Sequence, residues 1–256
     1  MTIAFNQVAQ IRATDTEPMQ AACSRCALGK LCFPHAIPAF YRSLFPLASD
    51  KRTRLRRGEY LFHARDRQVA LYAVKAGFLM SSMSLPDGQR KIVGFHAMGD
   101  VMGLDGLGTN AYRTDAIAMN DCEVCVIHLE KFEQLLEHPT ESSHVRQLLA
   151  GEIARVESHA AVIGTLSAKQ RVAAFLLDMS ERWENCGYSK SEFVLFMSRK
   201  EIGNYLGLTF ETVSRTISYF QSKKWLKAHG KTVHILNISA LQSQLADAAF
   251  GLIPRH

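Results

Sequence analysis

The sequence predicts an α+β chain in which an N-terminal β-roll is joined by one long helix to a C-terminal winged helix-turn-helix. Three observations predict it. Between Pro38 and His138, short apolar runs such as Tyr60-Leu-Phe62, Leu71-Tyr-Ala-Val74 and Ile92-Val-Gly94 are broken by glycines, the pattern of many short strands. After Pro139 the text takes a helical period, with only Gly151 and Gly164 before Cys186. Beyond Ser198, two short amphipathic segments flank a Gly-Leu turn.

A chain of 256 residues has room for about two ordinary domains, and 47% hydrophobic with 21% charged residues is a soluble globular composition. The first twelve residues lack the apolar run of a secretory signal, and no stretch approaches the roughly 20 apolar residues of a membrane span, so a cytoplasmic protein with no membrane partner is expected. In that reducing compartment, six cysteines point to metal binding or redox chemistry rather than disulfides. Charge is uneven: residues 168–256 hold 12 Lys+Arg against 7 Asp+Glu, which is +5 of the total +6. A basic C-terminal third suits a polyanion such as double-stranded DNA.

Taken in order, the N-terminal segment 1–37 carries Cys23-Ser-Arg-Cys26-Ala-Leu-Gly-Lys-Leu-Cys32. Its Cys-x2-Cys-x5-Cys spacing places three thiolates within one loop. A fourth from a distant segment would complete a four-sulfur cage for an iron-sulfur cluster or zinc. Cys122 and Cys125 both stand far enough along the chain to supply it. They are an odd number of residues apart, so on a regular strand they point to opposite faces and only one should reach the cage. Cys186 has no partner in sequence.

Residues 38–140 form the predicted roll. Asp87-Gly88 marks a hairpin between Ser81-Ser-Met-Ser84 and Arg90-Lys-Ile-Val93. Lys51-Arg-Thr-Arg-Leu-Arg-Arg57 reads as a solvated face, and His96 and His128 as structural histidines. In the helix expected over 141–167, Ile153, Val156, Ala160 and Ile163 fall at 3-4-3 spacing and line one seam. A helix of that length between two domains predicts pairing with its twin in a homodimer.

Residues 168–256 hold the helix-turn-helix. Ser198-Arg-Lys-Glu201 is a capping box that starts one helix, which Gly207 ends. Thr209 caps a second, which buries Val213, Ile217 and Phe220. Glu211, Ser214 and Arg215 lie near its N-terminus on the opposite face, where a recognition helix meets the major groove, and Thr209 at the cap is expected to contact DNA with them. Arginine can give two bonds to guanine, glutamate can accept from cytosine N4, and serine fits a base edge or phosphate. Trp225-Leu-Lys227 and Thr232-Val-His-Ile235 read as a wing.

From the cysteine cluster to the wing, the sequence resembles the CRP/FNR superfamily of transcription factors, and most closely the FNR branch of oxygen-responsive regulators. The most specific stretch is Ile202-Gly-Asn-Tyr-Leu-Gly-Leu-Thr-Phe-Glu-Thr-Val-Ser-Arg215; Gly94-Phe-His96 and Gly99-Asp100 look like the family's effector roll. The resemblance implies a cyclic-nucleotide-binding-like sensor domain, a dimerisation helix and contact with RNA polymerase. It further implies a 4Fe-4S cluster held by Cys23, Cys26, Cys32 and Cys125, with Leu31 as the apolar shield against oxygen, and half-sites of TTGAT type read by Glu211, Ser214 and Arg215. Val156 stands where the best-known members carry an acidic residue, which implies readier dimerisation without a cluster.

Alternatives share the fold. A zinc site has the same sulfur count, and a thiol-disulfide switch needs no metal. The superfamily's cyclic-nucleotide branch needs an arginine beside a small hydroxyl residue and a glutamate for the ribose. Arg113-Thr114 fits the first requirement, but Leu104 stands at the glutamate's place. No nucleotide-binding glycine loop, second redox motif or paired nucleophile and base supports an enzyme.

Overall fold

The computed structural model describes residues 48–245. Cys23, Cys26, Cys32 and Leu31, with the rest of the 1–37 segment, lie outside the described residues. The roll consists of β1 (Ala48–Leu55), β2 (Tyr60–Phe62), β3 (Ala70–Ala76), β4 (Leu79–Ser84), β5 (Arg90–His96), β6 (Val101–Met102), β7 (Asp115–Ala118) and β8 (Cys122–His128). They pair antiparallel into two four-stranded sheets, ordered β1-β8-β3-β6 and β2-β7-β4-β5. Leu55, Phe62, Val74, Leu79 and Val124 are buried together as one core. The β4–β5 turn falls at Asp87-Gly88: Gly88 takes a φ of +79°, which side chains disfavour, and the Asp87 carboxylate accepts from Gln89 N at 2.9 Å.

Strand-like text was expected as far as His138, but β8 runs straight into a helix, α1 (Leu129–Leu136). No glycine or proline marks the change, and only the buried pair Phe132 and Leu135 betrays a helical period. Then α2 (Pro139–Thr165) runs 27 residues, roughly 40 Å at 1.5 Å per residue, with proline in its first turn, where a missing N–H costs nothing. Helical text continues to Cys186 as a separate helix, α3 (Ala168–Asn185). The break lies at Leu166-Ser167, where Ser167 and Gln170 form a capping box.

The C-terminal module adds β9 (Glu192–Val194), α4 (Arg199–Leu206), α5 (Phe210–Ser222), β10 (Leu226–His229), β11 (Thr232–Ile235) and α6 (Ile238–Ser243). The wing has a third strand that was not read from sequence, in the order β10-β11-β9. One apolar cluster joins Phe78, Ile92 and Phe95 of the roll to Phe175, Met179 and Ile202 of this module, so the two share a core. Among the described residues, no helix is long and apolar enough to cross a membrane.

Candidate nucleic-acid interface and cysteine site

The helix expected to read DNA, α5, is built as its sequence demands. Ser198 Oγ accepts from Glu201 N at 3.2 Å and the Glu201 carboxylate accepts from Ser198 N at 2.6 Å, closing the box that starts α4. Gly207 ends that helix in the left-handed region at φ 66°. The two helices pack so closely that a Cβ on Gly203 would lie 2.7 Å from the Leu208 carbonyl oxygen, so only glycine fits there. Thr209 Oγ1 then accepts from Thr212 N at 3.2 Å and caps α5. Val213, Ile217 and Phe220 are buried beneath it.

Thr209, Glu211 and Arg215 are exposed and Ser214 is half-buried, so the four predicted DNA-reading residues share the open N-terminal end of α5. The backbone N–H of Glu211, then the Thr209 hydroxyl, hold the Glu211 carboxyl below its usual range, which keeps it an acceptor. Lys223, Lys224 and Lys227 are exposed beyond the other end of the helix and concentrate positive charge there.

On α2, Ile153 and Val156 are 59% and 56% exposed and Ala160 is exposed too. Ile163, the fourth seam residue, is half-buried, and a Cβ on Gly207 would lie 3.9 Å from its Cγ2. Other faces of α2 are packed. Val145 and Val162 are buried, and Arg155 bonds Glu152.

The two central cysteines point to opposite faces of β8. Cys122 is 4% exposed inside the roll core with Val124, and its thiol donates to the Phe78 carbonyl at 3.1 Å. Burial pushes that thiol up. Cys125 is half-buried on the other face, packed against the cluster of Phe132 and Leu135 from α1 and Val145 from α2. Cys186 caps the end of α3 with its thiol 3.7 Å from the Met98 carbonyl.

Aromatic rings occupy the roll. Phe62 stacks on Tyr112 at 3.9 Å, and the buried Tyr112 hydroxyl donates to the Ala70 carbonyl at 2.8 Å. The Asp105 carboxylate accepts from the Arg113 backbone N–H at 3.1 Å and from Thr114 Oγ1 at 2.9 Å, so the hydroxyl beside Arg113 already bonds to an acid of the chain itself. A cavity of about 150 Å³ lies elsewhere, lined by Phe78, Trp183 and Phe196.

Sequence reasoning missed the polar junction between roll and C-terminal module. Arg182 of α3 reaches Asp100 at 2.9 Å and Asp178 at 3.0 Å. Burial disfavours the Asp100 charge, but the Arg182 guanidinium together with its other neighbours, the Ala97 N–H and Arg155 among them, outweighs it and holds the carboxyl below its usual range. His96 is buried with Nε2 2.9 Å from Ser81 Oγ, a satisfied structural histidine as expected. Partners 82 positions apart leave no local signal in sequence.

Comparison with known proteins agrees with this architecture. Residues 170–244 match the Crp-like helix-turn-helix domain and residues 52–138 the cyclic nucleotide-binding domain. The chain is 38% identical over 232 residues to the transcriptional regulatory protein Btr of Bordetella pertussis, covering 90% of this chain and 96% of that one. It is 33% identical over 225 residues to the fumarate and nitrate reduction regulatory protein of Escherichia coli, covering 88% and 90%. The structure of FixK2 from Bradyrhizobium japonicum superposes with a TM-score of 0.70 at 31% identity, over 78% of this chain and 98% of that one. With an exposed reading helix behind a roll and a long helix, and relatives matched over nearly their whole length, the chain belongs to the CRP/FNR family of DNA-binding transcriptional regulators.

Proposed function

We propose that the protein is an oxygen-responsive regulator that acts as a homodimer. It holds a 4Fe-4S cluster on Cys23, Cys26, Cys32 and Cys125, binds a palindromic operator with TTGAT-type half-sites, and has RNA polymerase as its partner. The observation that carries the reading is the placement of Cys125. A cluster ligand must be a thiolate, and Cys122, turned into the roll with its ionisation disfavoured, is a poor one. Cys125 lies on the face that packs against α1 and α2. Four cysteine thiolates are the donor set that such clusters take. When bound, the cluster supplies the oxygen-sensitive chemistry. A relative named for fumarate and nitrate reduction, the use of acceptors other than oxygen, supports the same signal.

The chain's own residues supply the route to DNA. Cys125 shares its cluster with Val145, Leu148 and Leu149 of α2, and the exposed Ile153 and Val156 follow within two turns. Packing around Cys125 therefore sets the seam on which two copies pair. Pairing places two α5 helices in successive major grooves, where Arg215, Glu211 and Ser214 read bases and Thr209 lies toward the backbone. Against a cyclic nucleotide stand Leu104 where the ribose would need a glutamate and the Thr114 hydroxyl already bonded to Asp105.

The test is anisotropy of a labelled palindromic TTGAT duplex titrated with anaerobically purified protein, before and after air. The expected result is tight binding that weakens at least tenfold on exposure, about 1.4 kcal/mol. Equal affinity in both states would remove oxygen as the signal.

A further inference from the structure

We propose that Asn204 is a positioning residue for operator recognition. Its side-chain amide pairs with the open edge of the roll and so fixes the orientation in which the recognition helix is offered to DNA. The inference rests on the homodimer reading above.

Strand β5 is the outer strand of its sheet, and an outer strand leaves a row of backbone donors and acceptors unpaired on one side. Asn204 Oδ1 accepts from Ile92 N at 2.6 Å and Asn204 Nδ2 donates to the Arg90 carbonyl at 2.8 Å. A carboxamide offers one acceptor and one donor group on a single planar head, so Asn204 meets the strand as a neighbouring strand would. A carboxylate lacks the donor.

Lys91, between those two partners, reaches back to the helix. Its ammonium donates to the carbonyls of Asn204 and Tyr205, in the last turn of α4, where orphan carbonyls and the negative end of the helix dipole favour a cation. The next side chain makes a second tie. Tyr205 stacks on His159 of α2 with centroids 4.0 Å apart, and lies against Phe95 of β5 at 4.9 Å. Adjacent residues therefore bind α4 to the roll and to the long helix.

Helix α4 packs on α5 through the tight approach at Gly203, so rotating one rotates the other. The reading residues Glu211 and Arg215 are exposed, and no hydrogen bond of the Asn204 side chain goes to them. The tie therefore orients the reading face and does not cover it. Two recognition helices must meet grooves about 34 Å apart at the same time. A module free to swivel loses orientational entropy each time it does so, a cost that falls on the two-site complex.

The experiment compares full-length wild type, Asn204→Ala and Lys91→Ala, purified anaerobically, on two labelled duplexes. One carries an inverted repeat of TTGAT and the other a single half-site. Asn204→Ala is expected to lower affinity for the repeat about tenfold or more, about 1.4 kcal/mol, with less than a twofold change on the single site. Lys91→Ala, which leaves the helix-turn-helix sequence untouched, should lower the same ratio. Equal losses on both duplexes would assign Asn204 to the integrity of the module and overturn the proposal. So would a wild-type ratio retained in both variants, or a gain in affinity. A wild type that does not prefer the repeat would overturn the homodimer reading and this role with it.

Discussion

His159 of α2 and Tyr205 of α4 stack with ring centroids 4.0 Å apart and planes 12° apart, joining the long helix to the DNA-binding module through one pair of rings. Burial, then the neighbouring cations Lys91 and Arg155, lower His159 to about 4, against the opposing pull of Asp178. His96, buried on the roll side of the junction, is also lowered to about 4 by burial and Arg155. Both rings are neutral at neutral pH.

The junction should therefore be acid-sensitive. Each folded-state value lies below the unfolded value of about 6.5, so the unfolded chain takes up protons first as pH falls. The stability from the neutral rings is complete above about pH 6.5 and is lost progressively towards pH 4. Thermal melts should show a midpoint that is level above pH 6.5 and falls below it. His159→Phe keeps the stack and removes one titrating ring, so its midpoint should fall less steeply. Parallel curves for variant and wild type would rule out His159 as a source of the slope.

Val156 is 56% exposed on α2, and two copies meeting on this seam bring like residues close together. Val156→Glu would set carboxylates against each other at a cost of several kcal/mol, enough to weaken a dimer by two orders of magnitude or more. Sedimentation velocity should find wild-type protein dimeric even without a cluster, and the variant monomeric. Wild-type apo protein that stays monomeric at high concentration would contradict the assignment of the seam.

The two cysteines of β8 should separate cleanly. Cys125→Ser should lose bound iron and sulfide with little change in the apo-protein melting temperature. Cys122→Ala should keep the iron but melt earlier by about 1–2 kcal/mol, because it empties volume in a packed core. Iron analysis beside thermal melts tests both, and the reverse pattern would make Cys122 the ligand.

Arg215→Ala should cost about 1–3 kcal/mol on the operator and relax the preference at its guanine, while binding to random DNA changes little. Competition titrations with operator variants measure this. An equal loss on random DNA would assign Arg215 to phosphate contact.

The local devices were legible in sequence because each is written within a few residues. The Ser198-Glu201 box, the Thr209 cap, the turn at Gly207 and the Asp87-Gly88 hairpin all appear as read. The odd spacing of Cys122 and Cys125 likewise translates into opposite faces of one strand. Helix α1 was hidden because it follows β8 without a breaker, and β9 because three residues are too few for a period. The ties that join the modules were invisible for a different reason. Asn204 meets Arg90 across 114 positions, and only the folded chain brings an edge strand to a helix end.

The most direct test of the oxygen-sensor reading is iron and sulfide analysis with an absorbance spectrum on protein purified without oxygen, repeated after air. The account predicts a brown protein with about four irons and four sulfides per chain that bleaches in air. A colourless protein that carries zinc or no metal would contradict it.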